Sequence, residues 1–66
     1  MEIKYFKDTD TVLVKFNDNE IVDTRDLNDY MLAEFDKDGN IVSITIEHAK
    51  EHTDISNFSY EQIAMP

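Results

Sequence analysis

The sequence contains no cysteine and only one glycine and one proline. Without cysteine there can be no disulfide bridge and no thiolate zinc site, the two supports that stabilise many small domains. A single glycine also excludes the glycine-rich loops that bind phosphate. A chain of 66 residues buries only about 60% of its unfolded surface, so its core is expected to be marginal. Oligomerisation is the support that remains.

Basic residues are also few. Six lysines and arginines stand against fifteen aspartates and glutamates, which gives a net charge of -9 at pH 7. Nucleic-acid binding uses clusters of basic residues that displace counterions from phosphate, and the sequence has no such cluster. We therefore expect no nucleic-acid partner. An acidic surface favours solubility and, where a protein partner exists, a basic one.

Long hydrophobic runs are missing as well. No apolar stretch approaches the roughly 20 residues that a transmembrane helix needs, and the N-terminal sequence MEIKYFK has no hydrophobic segment of the signal-peptide kind. The hydrophobic content of 41% is nevertheless enough for a folded domain. We expect one soluble domain over residues 1–66, located in the cytoplasm, without a membrane partner.

Residues 31–46 are predicted to form a β-hairpin around which the sheet is built. Two alternating apolar runs, Met31–Phe35 and Ile41–Ile46, meet at the sequence Asp-Lys-Asp-Gly. The only glycine, Gly39, stands where a type I turn is closed by a left-handed residue. Glycine suits that place because a Cβ atom would clash at positive φ.

Two further strands are predicted before the hairpin. Glu2–Phe6 alternates in polarity, and Thr11–Phe16 is rich in β-branched and aromatic residues; both patterns are typical of half-buried strands. Lys7–Asp10 supplies the turn between them, because aspartate side chains bond to nearby backbone groups. Glu20–Leu27 alternates weakly and is highly charged, which fits a short edge strand or an irregular crossover.

The period-two positions of these strands predict one apolar face of the sheet, which we expect to be the core. Its members are Ile3, Tyr5, Val12, Val14, Phe16, Met31, Ala33, Phe35, Val42, Ile44 and Ile46.

The opposite face is not fully polar and would leave an apolar patch if exposed. Two covers are possible: the C-terminal segment, which carries Ile63 among its apolar residues, or a second copy of the chain. The predicted interface residues, taken from this face and from the C-terminal segment, are Phe6, Leu13, Leu32, Ile41, Ile55 and Phe58.

The pattern changes after Ile46. Residues 47–52 do not alternate and have helical propensity, which predicts a short C-terminal helix near residues 48–52. Phe58–Ala64 fits a last strand, which we favour, or a helix capped by Asp54. The predicted fold is α+β and mostly β: an antiparallel sheet of four to five short strands built around the 31–46 hairpin, plus the short helix.

Several stretches, in their order along the chain, resemble a family of short, mostly bacterial domains of unknown function, DUF2283. The resemblance lies in Ile3–Tyr5, Asp8–Phe16, Leu32–Glu47 and Ala49–Lys50. They match the family's opening pair of strands around an acidic turn, its acidic hairpin, and the strand that leads into a short helix. Ser43 stands where the family pattern often has glycine.

The resemblance implies a small, β-rich, self-associating domain with a short helix. It brings no established activity and no catalytic residues. Thr53–Pro66 is poorly covered by it. In some members of the family the neighbourhood suggests pairs of toxin and antitoxin.

One short motif could carry metal chemistry. The stretch from His48 to His52 fits the H-x-x-E-H pattern, in which two histidines bind zinc and the glutamate, here Glu51, acts as a base. A catalytic site needs a third protein ligand and a cleft, and only Asp54 and Glu61 follow. We therefore predict no catalytic residues, no cofactor and no enzyme activity. His48 and His52 remain weak candidates for a metal half-site.

The acidic turn of the hairpin resembles the start of an EF-hand calcium loop. Carboxylates occupy the first, third and fifth places, beginning with Glu34, and Gly39 the sixth. The twelfth place must be a bidentate glutamate, and here it is Thr45. The same residues are explained by a tight β-turn.

These observations predict a non-enzymatic, homodimeric protein-interaction module. The first alternative is an antitoxin-like or regulatory binder of a basic protein. The second is a metal-binding protein that uses His48 and His52.

Overall fold

The computed structural model describes residues 1–64, which form one antiparallel sheet of five strands and a short helix. The elements are β1 (Glu2–Phe6), β2 (Thr11–Lys15), β3 (Asp23–Asp26), β4 (Met31–Phe35), β5 (Ile41–Ile46) and α1 (Ala49–His52). The strand order is β1-β2-β5-β4-β3, so β5 is central and β1 and β3 are the edges. The predicted fold class, with its sheet and short C-terminal helix, is confirmed. In the described part of the chain no helix is long and apolar enough to cross a membrane.

The hairpin turn has the predicted geometry. The Gly39 amide donates to the Asp36 carbonyl at 3.1 Å, and the Asp36 amide donates to the Asn40 carbonyl at 2.9 Å. Gly39 has a φ of +82°, which is the positive value that favours glycine.

A β-bulge follows the turn on β5. Glu34 pairs with Ser43, but Phe35 pairs with Ile41, so the register slips by one residue at this point. A bulge re-aims the side chains beside it. The place of Ile41 on the outer face was predicted from strict alternation along β5. The bulge interrupts that alternation at Ile41.

The register shows which residues share a face, because directly opposed residues lie on the same side of the sheet. Two rows of paired residues define what we call the apolar face: Ile3, Val14, Ile44 and Ala33 in one row, and Tyr5, Val12, Ile46 and Met31 in the other. The other side, called the polar face, carries Glu2, Lys4, Phe6, Leu13, Lys15, Leu32, Glu34, Ser43 and Thr45. The grouping by alternation is confirmed for these two rows.

Burial is weaker than a closed core would give. Of the predicted core residues only Val12, Ala33 and Val42 are buried, with 3%, 1% and 1% of their surface exposed; the others are half-buried. Ala49 is fully buried, although it lies outside the strands. The physical reason for the shortfall is that the packed elements are neighbouring strands of one layer. Residues 1–64 provide no second layer of regular structure that would cover the sheet.

The C-terminal segment, residues 53–64, differs from the prediction. It forms neither the favoured last strand nor a helix, and Phe58, Tyr60 and Ile63 are 60%, 69% and 75% exposed. The Asp54 carboxylate accepts hydrogen bonds from Ser56 and Asn57. It therefore closes a local turn and does not cap a helix. The predicted strand is wrong because a short alternation supplies no ladder hydrogen bonds by itself.

Candidate functional site

Asp10 joins the β1–β2 turn to helix α1. It has a φ of +53°, and its carbonyl accepts a hydrogen bond from the Ala49 amide at 2.9 Å. Its carboxylate accepts one from the Tyr5 hydroxyl at 2.6 Å and one from the Lys50 amide at 3.2 Å. These bonds supply partners for the first N–H groups of the helix, which have none within it.

The same contacts shift two pKa values in opposite directions. The Tyr5 hydroxyl and, less strongly, the Lys50 amide stabilise the charged carboxylate, so the pKa of Asp10 is lowered. The hydrogen bond to Asp10 holds the proton on the hydroxyl, so the pKa of Tyr5 is raised. Both shifts follow from one structural hydrogen bond.

Of the two histidines of the H-x-x-E-H motif, only His52 lies within helix α1. His48 has a φ of +52° and precedes the helix as its N-cap residue, so the pair does not have the i, i+4 spacing of a regular helix. The His52 ring stacks on Tyr30, with centroids 3.6 Å apart and planes 5° from parallel. Within residues 1–64 no group of three or more His, Asp or Glu side chains is arranged to hold a metal ion.

Asp36 occupies the acidic turn of the hairpin. Only 6% of its surface is exposed. Its carboxylate accepts hydrogen bonds from the Asn19 side chain and from the amides of Asp38 and Asn40, each at 2.9 Å. The Asn19 bond, followed by the Asn40 amide, lowers the pKa of Asp36. The carboxylate thus stabilises the turn and the preceding loop, as the β-turn interpretation predicts.

A groove of about 740 Å³ lies between β1 and the C-terminal segment, which is within the size range of pockets that bind other molecules. Its lining is mostly apolar and consists of Met1, Ile3, Tyr5, Ile55, Phe58 and Tyr60. Ile3 and Tyr5 belong to the apolar face. Phe58 and Tyr60 are mostly exposed, although aromatic side chains contribute strongly when they are buried at interfaces.

The structure divides the predicted interface residues between two surfaces. Leu13 and Leu32 flank Thr45 on the polar face, and Phe6, which is 47% exposed, lies on the same side. Ile55 and Phe58 line the groove beside β1. The C-terminal segment, one of the two covers that the sequence left open, therefore reaches the apolar side of β1.

Sequence reasoning missed the groove because it assigned Ile3 and Tyr5 to a closed core. The position of β1 at the edge of the sheet is the signal that could have indicated the groove. A strand at the edge of a sheet has neighbours on one side only, so its apolar residues are the last to be covered. Met1, which is 74% exposed, lines the groove together with these two residues.

Comparison with known proteins gives one result. Residues 2–50 match a protein-family model described as "Protein of unknown function (DUF2283)". No curated protein and no solved structure is matched. The matched region runs from β1 to the first turn of α1 and spans most of the chain. The chain therefore belongs to the DUF2283 family.

Proposed function

We propose that this protein is a non-enzymatic homodimer that acts as a protein-interaction module. The observation that carries the proposal is the surface that the chain leaves exposed, 5384 Å². A compact monomer of 7.7 kDa is expected to expose about 4,300 Å². The surplus of about 1,000 Å² is comparable with the roughly 800 Å² that each partner buries in a standard protein interface.

The shape of the chain supports the same proposal. Its radius of gyration is 13.3 Å, whereas a compact chain of this length has one of about 11 Å. The molecule measures 37 × 32 × 19 Å. These are the dimensions expected of a single sheet with little packed on either side. Stable domains bury the apolar side of a sheet, and a second copy of the chain is the simplest source of the missing burial.

The non-enzymatic part of the proposal is supported by what the charged groups do. Asp10 and Asp36, whose pKa values are lowered, both accept hydrogen bonds from backbone amides and hold turns together. The groove is lined mainly by apolar side chains, and the hydroxyl of Tyr5 is engaged by Asp10. Acid–base chemistry needs titratable groups aimed at a reacting molecule.

Size-exclusion chromatography with light scattering tests the dimer directly. At high micromolar concentration we expect a mass of twice the chain mass of 7.7 kDa, which falls towards one chain on dilution. A mass that stays at 7.7 kDa at every concentration would contradict the proposal.

A regulatory or antitoxin-like binder of a basic protein is the second candidate, and the edge strand β3 favours it. All four residues of β3 are exposed, and Asp23 and Asp26 are acidic. A basic partner would meet a chain of net charge -9, so its binding should weaken steeply with salt. Calorimetry against a purified cationic partner at two salt concentrations tests this, and salt-independent affinity would count against it.

A further inference from the structure

The outer edge of β1 is the strand edge best suited to pairing. β1 bonds to β2 on one side, and among residues 1–64 no backbone hydrogen bond from another segment reaches its other side. Unpaired N–H and C=O groups in a row are a template for another strand. β1 also carries the half-buried Ile3 and Tyr5 on its apolar side.

The opposite edge of the sheet is protected. β3 consists of Asp23, Thr24, Arg25 and Asp26, all exposed. Arg25 bonds to Asp23 at 2.9 Å and lies over the Phe35 ring, with its guanidinium carbon 5.4 Å from the ring centre. Charged side chains along an edge discourage pairing with a second sheet. β1 carries two charges as well, but they alternate with the apolar Ile3, Tyr5 and Phe6, whereas β3 has no apolar residue. Of the two edges, β1 is therefore the one better suited to pairing.

We infer that β1 pairs antiparallel with β1 of a second copy of this chain, across a two-fold axis at Ile3. This inference rests on the proposed homodimer and names its interface. The charges of β1 select the register. With Ile3 opposite Ile3, Glu2 of each copy faces Lys4 of the other on the polar face, and opposed charges across strands stabilise a pair.

The neighbouring registers are less favourable. Moving the axis to Lys4 sets two lysines directly opposite each other, which is destabilising. A register that is shifted by a single residue would place the apolar side chains of one copy against the polar face of the other. Within one chain the Lys4 ammonium lies 3.7 Å from the Glu2 carboxylate, so both charges lie on the same face of β1, where the second copy's charges would meet them.

The pairing also brings the two grooves together. With Ile3 on the axis, Met1 of each copy stands opposite Tyr5 of the other on the apolar face, and both residues line the groove. The two grooves thus meet along the β1–β1 interface. Phe58 and Tyr60, which are 60% and 69% exposed in one chain, then have a second copy's apolar face beside them. Aromatic side chains of this kind contribute strongly when buried at an interface.

Charge exchange tests the register without disturbing the core, since Glu2 and Lys4 are exposed. The variants are Glu2→Lys, Lys4→Glu and the double exchange, each measured by sedimentation equilibrium. Each single variant turns two attractive pairs into repulsive ones, so the dimer dissociation constant should rise at least about fivefold. The double exchange restores both pairs and should return to within about threefold of the original value.

A mixture of the two single variants is the decisive measurement. The Glu2→Lys chain has lysine at both positions 2 and 4, and the Lys4→Glu chain has glutamate at both. A chain of one variant should therefore pair with a chain of the other variant in preference to a second copy of itself. Native mass spectrometry should show mainly the mixed dimer. A change in the fold of one variant alone cannot produce this preference.

Three results would overturn the inference. One is a statistical mixture of dimers. Another is a dissociation constant that the single exchanges leave unchanged. The third is a dimer that Leu32→Lys disrupts while the exchanges do not, which would place the interface on the polar face. In all three cases a dimer still forms, so the proposed function survives; a strict monomer for the unaltered chain would remove the proposed function itself.

Discussion

Replacing Gly39 by alanine tests how the central hairpin is closed. Gly39 has a φ of +82°, and a Cβ atom built there would meet nothing within 4 Å. Any loss of stability must therefore come from backbone strain and not from a steric clash with the rest of the fold. Since Gly39 is the only glycine, no other residue of this type can take over its role.

Two opposing terms set the size of the effect. Holding an alanine in a left-handed conformation costs about 1–2 kcal/mol. The same substitution reduces the conformational freedom of the unfolded chain, which stabilises the fold by about 0.4–1 kcal/mol. The net loss should be about 1 kcal/mol, and for a domain of this size that lowers the melting temperature by about 4–8 °C.

Thermal unfolding followed by circular dichroism, at one fixed chain concentration, measures this loss. The concentration must be constant because the proposed dimer would itself stabilise the fold. Gly39→Asn is the matched control and should lose less, because asparagine tolerates the left-handed region. Lys37→Ala, in the same turn, should change little. An alanine variant at least as stable as the asparagine variant would refute the positive φ, because both substitutions restrict the unfolded chain and only alanine disfavours the left-handed region. A loss above about 3 kcal/mol would reveal a clash that the open space around Gly39 excludes.

Three further predictions follow from the core, the helix anchor and the histidines. Val42→Ala should lower the free energy of unfolding by about 2 kcal/mol, because Val42 is fully buried, whereas exposed Val22→Ala should change it by less than about 0.5 kcal/mol; urea titration measures both. The pKa of Asp10 is lower in the folded state, so the contribution of its carboxylate to the free energy of unfolding is complete above the unfolded pKa of about 3.9 and disappears as the pH falls through the folded pKa. Asp10→Asn should therefore reduce the loss of stability in acid, as measured by urea titrations between about pH 2 and 7. An unchanged dependence of stability on pH would contradict this prediction. Excess zinc should leave the melting temperature unchanged, because His52 is stacked on a tyrosine and His48 lies outside the helix; a clear rise would show that the two histidines bind the metal.

Some elements could be predicted because their causes are local. The alternation of Glu2–Phe6 and of the hairpin arms follows from the two-residue repeat of a strand. Gly39 could be predicted because a positive φ at the end of a tight turn excludes most other residues. The charges of Glu20–Leu27 fitted a short edge strand or an irregular crossover, and the structure has the edge strand over Asp23–Asp26.

The anchor at Asp10 could not be predicted in this way. Its positive φ belongs to a residue type that tolerates several turn conformations. Its partners Ala49 and Lys50 lie some forty positions further along the chain. The start of α1, and with it the place of His48 outside the helix, depends on this distant contact.

The amino-acid sequence by itself determined the strands, their turn and the division of side chains between two faces, since all three arise from short-range periodicity and backbone sterics. Only the tertiary structure decided that β5 is central and β1 an open edge, and that the C-terminal segment forms a groove beside β1 without joining the sheet. The reason is physical: strand order and coverage are settled by contacts between distant segments. A chain this small has too few of them to close its own core.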